Sequence, residues 1–154
     1  MSKTKEKIRG FAKKYGIELK KINKGGFSFA FAQEKTTVYI GCGLNNEADK
    51  EEVVSFANIV ERNSCVDSTL MSKLLELNGQ LLYGAFCIVN DTVFYRYNVL
   101  GGQHIDEDVF FTALYTAAGV SKQFYNKIIS THGGKTDGDF IEDEVRKKDG
   151  NDID

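Results

Sequence analysis

The stretch from Leu74 to Leu100 constrains the fold more than any other part of the chain, because it predicts a helix end followed by a β-hairpin of defined register. Asn90 and Asp91 both tolerate positive φ, as a two-residue hairpin turn of the primed type requires. This turn predicts four cross-strand pairs: Ile88 with Val93, Phe86 with Tyr95, Gly84 with Tyr97, and Leu82 with Val99. Because side chains alternate along a strand, these pairs share one side, which we expect to face the core.

The other side of the hairpin has a mixed composition. It carries Tyr83, Ala85, Cys87 and Val89 on one strand and Thr92, Phe94, Arg96 and Asn98 on the other. This set is too apolar to face free water and too polar for a sealed core. Two interpretations stay open: another segment of the chain covers this side, or it forms an interface with a subunit or a client protein.

The remaining segments predict an α+β domain with antiparallel pairing throughout. Its first two strands join at a Gly25-Gly26 turn, and the second strand points Phe27, Phe29 and Phe31 to one side. The expected order is a helix at Thr4–Tyr15, a three-strand meander at Ile17–Ile22, Phe27–Gln33 and Thr36–Cys42, a broken helix at Asp49–Arg62 and Ser68–Leu77, the hairpin, and a long C-terminal helix.

In the first half of the broken helix, four residues are expected to point inward: Val53, Phe56, Ala57 and Val60. The long helix is expected to begin after an Asp106 cap and to end near Ser130. Five of its residues approximate one apolar face: Phe110, Leu114, Ala117, Phe124 and Ile128. Phe111, Tyr115 and Tyr125 widen that face, and they are expected to cover the first helix or to meet another chain.

Charge is unevenly distributed along the chain. The formal net charge is −2, but residues 135–154 hold four basic and eight acidic side chains. We therefore predict one domain over residues 1–132 and a flexible acidic tail over residues 133–154. The lysines of the first segment could meet nucleic-acid phosphates, yet a solvated helix face is favoured because no aromatic stacking pattern accompanies them.

Neither catalysis nor metal binding is indicated by the residue pattern. Cys42, Cys65 and Cys87 lie in or beside apolar segments without a C-x-x-C element, which favours buried thiols over disulfides or a zinc site. The expectation is a protein with no cofactor and no metal. An alternative is a small-molecule-binding domain or enzyme that uses the loop from Gly101 to His104. No long apolar run predicts a membrane segment and no secretory signal is present at the N-terminus, so a cytoplasmic location is expected.

Residues 74–128 resemble the YbjN family of bacterial sensory transduction regulators, which shares the fold of the type III secretion chaperones. The resemblance lies in the LLELN run before the hairpin, the Gly84-Ala85-Phe86 strand, the Asn90-Asp91 turn, the Leu100-Gly101-Gly102 loop with its Asp106 cap, and Phe124-Tyr125. It implies a non-enzymatic, often dimeric protein that binds other proteins or peptide segments.

These arguments give one candidate surface for a protein partner or for a second copy of the chain. It comprises seven residues: Tyr83, Ala85, Cys87, Phe94, Arg96, Phe111 and Tyr115.

Overall fold

The computed structural model describes residues 2–45, 52–62 and 66–132. Its elements in chain order are α1 (Lys3–Lys14), β1 (Lys20–Lys24), β2 (Phe27–Gln33), β3 (Thr36–Asn45), β4 (Glu52–Glu61), α2 (Ser68–Asn78), β5 (Ala85–Val89), β6 (Thr92–Leu100), a short 3-10 turn (Gly102–His104) and α3 (Glu107–His132). The expected tail and Cys65 lie outside the described residues.

The six strands form one antiparallel sheet in the order β1-β2-β3-β4-β6-β5. All three helices contribute buried residues to a core that they share with one side of this sheet. The five residues expected to form the inner face of α3 are all buried, as predicted. An α+β class is therefore confirmed, and its core lies between the helices and one side of the sheet, here called the helix side. The opposite side is called the far side.

The segment predicted as the first half of a broken helix is instead the strand β4, so that part of the prediction was wrong. Residues 54–61 are buried without interruption, because β4 lies in the middle of the sheet. A strand buried on both sides loses the alternation of apolar and polar residues that identifies most strands. The β-branched Val53, Val54, Ile59 and Val60 were the remaining signal for a strand.

The hairpin register is confirmed nearest the turn, where Phe86 pairs with Tyr95 and Ile88 pairs with Val93. Asn90 has a positive φ of 56°, as expected, whereas Asp91 does not. Farther from the turn the prediction was wrong, because β5 begins only at Ala85. Leu82 is 85% exposed instead of lying in the core.

The ring of Phe27 does not share the direction of Phe29 and Phe31, which are both buried in the core. It lies 5.7 Å from the ring of Tyr39, centroid to centroid, and 3.5 Å from where a Cβ on Gly41 would stand. The pairing of β1 with β2 shifts register between Lys21 and Lys24. The extra residue of this shift lies on β1. Phe27 is the first residue of β2 and directly follows Gly25 and Gly26, which both have positive φ, so alternation along β2 does not fix its direction.

Among the described residues, no helix combines the length and the apolar character needed to cross a membrane.

β5 begins directly after Gly84, where the backbone passes close to β6. It has a φ of 71°, and a Cβ at this position would lie 2.5 Å from the Tyr95 hydroxyl oxygen and 2.6 Å from the Arg96 carbonyl oxygen. We expect Gly84→Ala to lower the free energy of unfolding by ~2 kcal/mol or more, from backbone strain plus the clash. Urea unfolding followed by circular dichroism measures this change.

Gly102→Ala is the matched control, because Gly102 has a φ of 59° but open space where its Cβ would stand. It should cost only the conformational strain of about 1 kcal/mol. Equal losses for the two variants would contradict the close approach at Gly84.

Candidate functional site

The far side of the hairpin presents four of the seven predicted surface residues as one group. Ala85 pairs with Arg96, and Cys87 pairs with Phe94. Arg96 and Phe94 also pair with β4, where their partners are Ala57 and Ile59. The far side of the hairpin is therefore continuous with the far side of β4. We call Ala85, Cys87, Phe94 and Arg96 the hairpin stripe.

The hairpin stripe is partly open to solvent and mostly apolar. Ala85 and Arg96 are exposed, whereas Cys87 and Phe94 are half-buried. None of the four belongs to the core that the helices share with the sheet. In the described part of the chain, no helix therefore lies over the stripe.

The Cys87 thiol of the stripe is a weak nucleophile. Burial raises the pKa of the Cys87 thiol, and the nearby Arg96 guanidinium opposes this only in part. A thiol with a raised pKa stays protonated near neutral pH and is a poor nucleophile. The stripe thus offers an apolar surface with a single positive charge.

Tyr83 lies away from this group, contrary to the expected alternation. Its ring packs edge-on against Tyr97, with the centroids 5.5 Å apart, and its carbonyl oxygen accepts a hydrogen bond of 2.7 Å from the Tyr95 hydroxyl. Tyr95 and Tyr97 both pack on the helix side. The bend at Gly84 places Tyr83 there as well.

Phe111 and Tyr115 lie together on α3, on the helix side of the sheet, whereas the hairpin stripe lies on the far side. Phe111 contacts Tyr15 of α1 with ring centroids 4.9 Å apart, and it stacks on Tyr115 at 6.0 Å. Phe111 therefore covers the first helix, one of the two roles predicted for the excess aromatic residues. Tyr115 remains 47% exposed. The predicted set is thus divided among three places.

A second exposed apolar group was missed by the sequence reasoning. Met71 and Leu75 lie four residues apart on the outward side of α2 and are 46% and 73% exposed, and Leu82 follows in the next loop. The signal was present, because Leu70, Leu74 and Leu77 already fill the inward side and leave Met71 and Leu75 as a second stripe. We call Met71, Leu75 and Leu82 the α2 patch.

The Asn78 side chain occupies the outer edge of β5 at Phe86, the second residue of the strand. The Asn78 amide donates to the Phe86 carbonyl at 3.1 Å and accepts from the Phe86 N–H at 2.7 Å. It takes the two backbone groups that an added strand would use there. Binding near β5 must therefore use side chains on the sheet surface more than strand addition at this edge.

The glycine loop proposed as an alternative site is packed against α1. A Cβ at Gly101 would lie 3.2 Å from side-chain carbons of both Thr4 and Val54. The Lys7 ammonium donates to the carbonyl oxygens of Gly102 at 2.8 Å and Ile105 at 3.1 Å. His104 is exposed. The loop is thus anchored to α1.

The other thiol described here, Cys42, packs against the core, and burial raises its pKa to about 11. The prediction of structural thiols agrees with this position. Within residues 2–45, 52–62 and 66–132, no group of three or more His, Cys, Asp or Glu side chains is arranged to hold a metal ion.

These features describe an α+β domain in which the described helices lie on one side of a single antiparallel sheet. A family model described as type III secretion (YopN, CesT) and YbjN peptide-binding chaperone 1 matches residues 23–139. The match covers more than half of the sequence, and the chain belongs to this family.

The crystal structure of YbjN from E. coli, described as a putative transcription regulator, has a similar fold. The TM-score is 0.58 at 10% sequence identity, over 82% of this chain and 93% of that one. No curated protein matches the chain in a sequence search. The resemblance drawn from the sequence is confirmed at the level of family and fold.

Tyr95 makes the free energy of unfolding depend on pH in the alkaline range. Burial raises the pKa of its phenol to about 12. In the unfolded chain a tyrosine ionises near pH 10, so the unfolded state loses its proton first and stability falls as the pH rises from about 10 towards 12. The neutral hydroxyl is also the donor to the Tyr83 carbonyl oxygen.

We expect Tyr95→Phe to be less stable than the native chain by ~1 kcal/mol at pH 8, because the hydrogen bond is lost. The difference should shrink above pH 10, since phenylalanine cannot ionise. Urea unfolding at pH 8, 10 and 11 tests this. A difference that stays constant or grows with pH would show that Tyr95 ionises freely in the folded state.

Proposed function

We propose that this protein is a non-enzymatic peptide-binding module with a chaperone-like or regulatory role, that it acts as a homodimer, and that it works in the cytoplasm. The family to which it belongs is one of peptide-binding chaperones. The observation that carries the proposal for this chain is the hairpin stripe, a mostly apolar and partly open surface on the far side of the sheet.

An extended peptide suits the stripe better than a compact ligand does. The paired residues repeat along the strands at the period of an extended chain, so a bound peptide can present alternate side chains to Phe94 and to Ala85. Arg96 can donate to a peptide carbonyl oxygen or carboxylate beside this apolar contact. Because Asn78 occupies the β5 edge at Phe86, specificity is expected to come from side-chain contacts on the sheet surface.

Peptide binding can be tested with a phage-displayed library of random peptides selected against the full chain. We expect selected peptides to carry apolar residues at alternate positions, and Phe94→Asp to weaken the best of them by roughly tenfold or more, since a charge would enter the apolar contact. Fluorescence anisotropy with the labelled peptide measures the affinity.

Val66→Asp provides the control for this measurement, because it places the same charge on an exposed valine outside both the hairpin stripe and the α2 patch. Its effect on peptide affinity should be under about twofold. Failure to select any peptide, or equal losses in both variants, would count against peptide binding at the stripe.

The α2 patch supports self-association, and we assign the dimer contact to it. Exposed Met71 and Leu75 on one side of a helix form the kind of apolar surface that a second copy covers. Repetition of the same patch on both copies suits a twofold interface.

We expect the native chain to sediment as a dimer at about 100 μM, and Leu75→Asp to weaken dimerisation by roughly tenfold or more. Analytical ultracentrifugation measures both. Ser72→Asp is the matched control, because Ser72 is exposed on the same helix but polar. A monomeric native chain, or dissociation by Ser72→Asp to the same extent, would contradict this interface.

A further inference from the structure

A cleft of about 400 Å³ lies at the opposite edge of the sheet from the hairpin stripe, between α1 and β1. It is lined by Lys5 of α1, by Lys21, Ile22 and Asn23 of β1, and by Ser28 and Phe29 of β2. Lys21 pairs with Phe29, which is on the helix side, so both lysines border the same cleft. We call it the lysine groove.

The groove combines positive charge with an apolar floor. Lys5 and Ile22 are half-buried, Lys21 is exposed, and Phe29 forms part of the core below. Among the described residues, neither Lys5 nor Lys21 has a side-chain hydrogen bond or ion pair. Residues 2–24 hold nine basic and only two acidic side chains. The Glu52 carboxylate accepts from the Thr4 hydroxyl, a neutral donor, and keeps its negative charge. An anionic ligand would therefore meet an excess of positive charge in this segment.

Among the described strands, β1 is the end strand of the sheet, so one of its edges pairs with none of the others. An edge strand accepts an extended segment through its free backbone groups. Lysines on such an edge discourage pairing with the same edge of a second copy, since like charges would face each other. The same lysines attract a segment of opposite charge.

We propose that the lysine groove binds an acidic extended peptide segment that carries apolar residues between its carboxylates. Its carboxylates meet Lys5 and Lys21, and an apolar side chain packs on Ile22. A nucleic acid fits less well, because Phe29 is only 3% exposed and offers no face for base stacking. This site is separate from the hairpin stripe and does not rest on the function proposed there.

The chain itself supplies a probe of this chemistry. Residues 137–145, DGDFIEDEV, hold five carboxylates and no basic residue around Phe140 and Ile141. A fluorescein-labelled peptide of residues 136–145 can be titrated with the full chain carrying Phe140→Ser and Ile141→Ser, so that the chain's own copy of the segment lacks the apolar contact and competes less. Binding is followed by anisotropy at low and high salt. We expect saturable binding that weakens as salt rises, because ion pairs contribute.

Lys5→Glu combined with Lys21→Glu should weaken binding by roughly tenfold or more, since two attractive contacts become repulsive. Lys13→Glu combined with Lys73→Glu changes the net charge equally but away from the groove, and it should weaken binding by less than about threefold. A peptide with Phe140 and Ile141 replaced by serine keeps every charge, and it should bind about tenfold more weakly because the apolar contact is lost.

Three results would overturn the proposal. The first is no binding of the native peptide. The second is an equal loss in the two lysine variants, which would mean diffuse charge attraction. The third is displacement of the peptide by a single-stranded oligothymidine that binds more tightly and loses affinity when Lys5 and Lys21 are replaced. This result would make the groove a nucleic-acid site. Binding at the hairpin stripe is tested by Phe94→Asp and binding at the lysine groove by the lysine variants. Either proposal can therefore be contradicted without the other.

Discussion

The packing of α3 on β4 is the contact on which the rest of the structure depends. Phe110 of α3 lies 5.8 Å from Phe56 of β4, centroid to centroid, and the Asn58 side chain donates to the Ala117 carbonyl oxygen at 3.1 Å. The alanines Ala113 and Ala117 are fully buried. Small residues allow the helix to approach the sheet closely, and a hydrogen bond made in the core fixes where along the helix it does so.

This contact sets the asymmetry of the molecule. The helices occupy one side of the sheet, and the apolar residues of the other side lack a helical cover in the described part of the chain. The chain belongs to a family of peptide-binding chaperones, and the hairpin stripe proposed to bind a peptide lies on that side. The two edges are protected differently, because β5 carries the Asn78 amide across its backbone groups whereas β1 carries lysines. The edge with lysines is the one at which we propose that an acidic segment binds.

The candidate site could be predicted from the sequence only in part. Strand alternation placed Ala85, Cys87, Phe94 and Arg96 together, because regular pairing holds as far as Ala85. It failed at Tyr83, since the turn at Gly84 ends that regularity. The α2 patch was overlooked, although the inward stripe of Leu70, Leu74 and Leu77 already left Met71 and Leu75 on the outward side of the helix.

The sequence alone determined the elements whose patterns are local: the amphipathic α1, the hairpin turn at Asn90, the Asp106 cap and the inner face of α3. Each of these depends on residues within a few positions of one another. Tertiary structure decided that residues 52–61 form a strand, because burial on both sides in the sheet centre removes the period that would have revealed it. It also decided the strand order and which side of the sheet the helices cover, since both follow from contacts between segments distant in the chain.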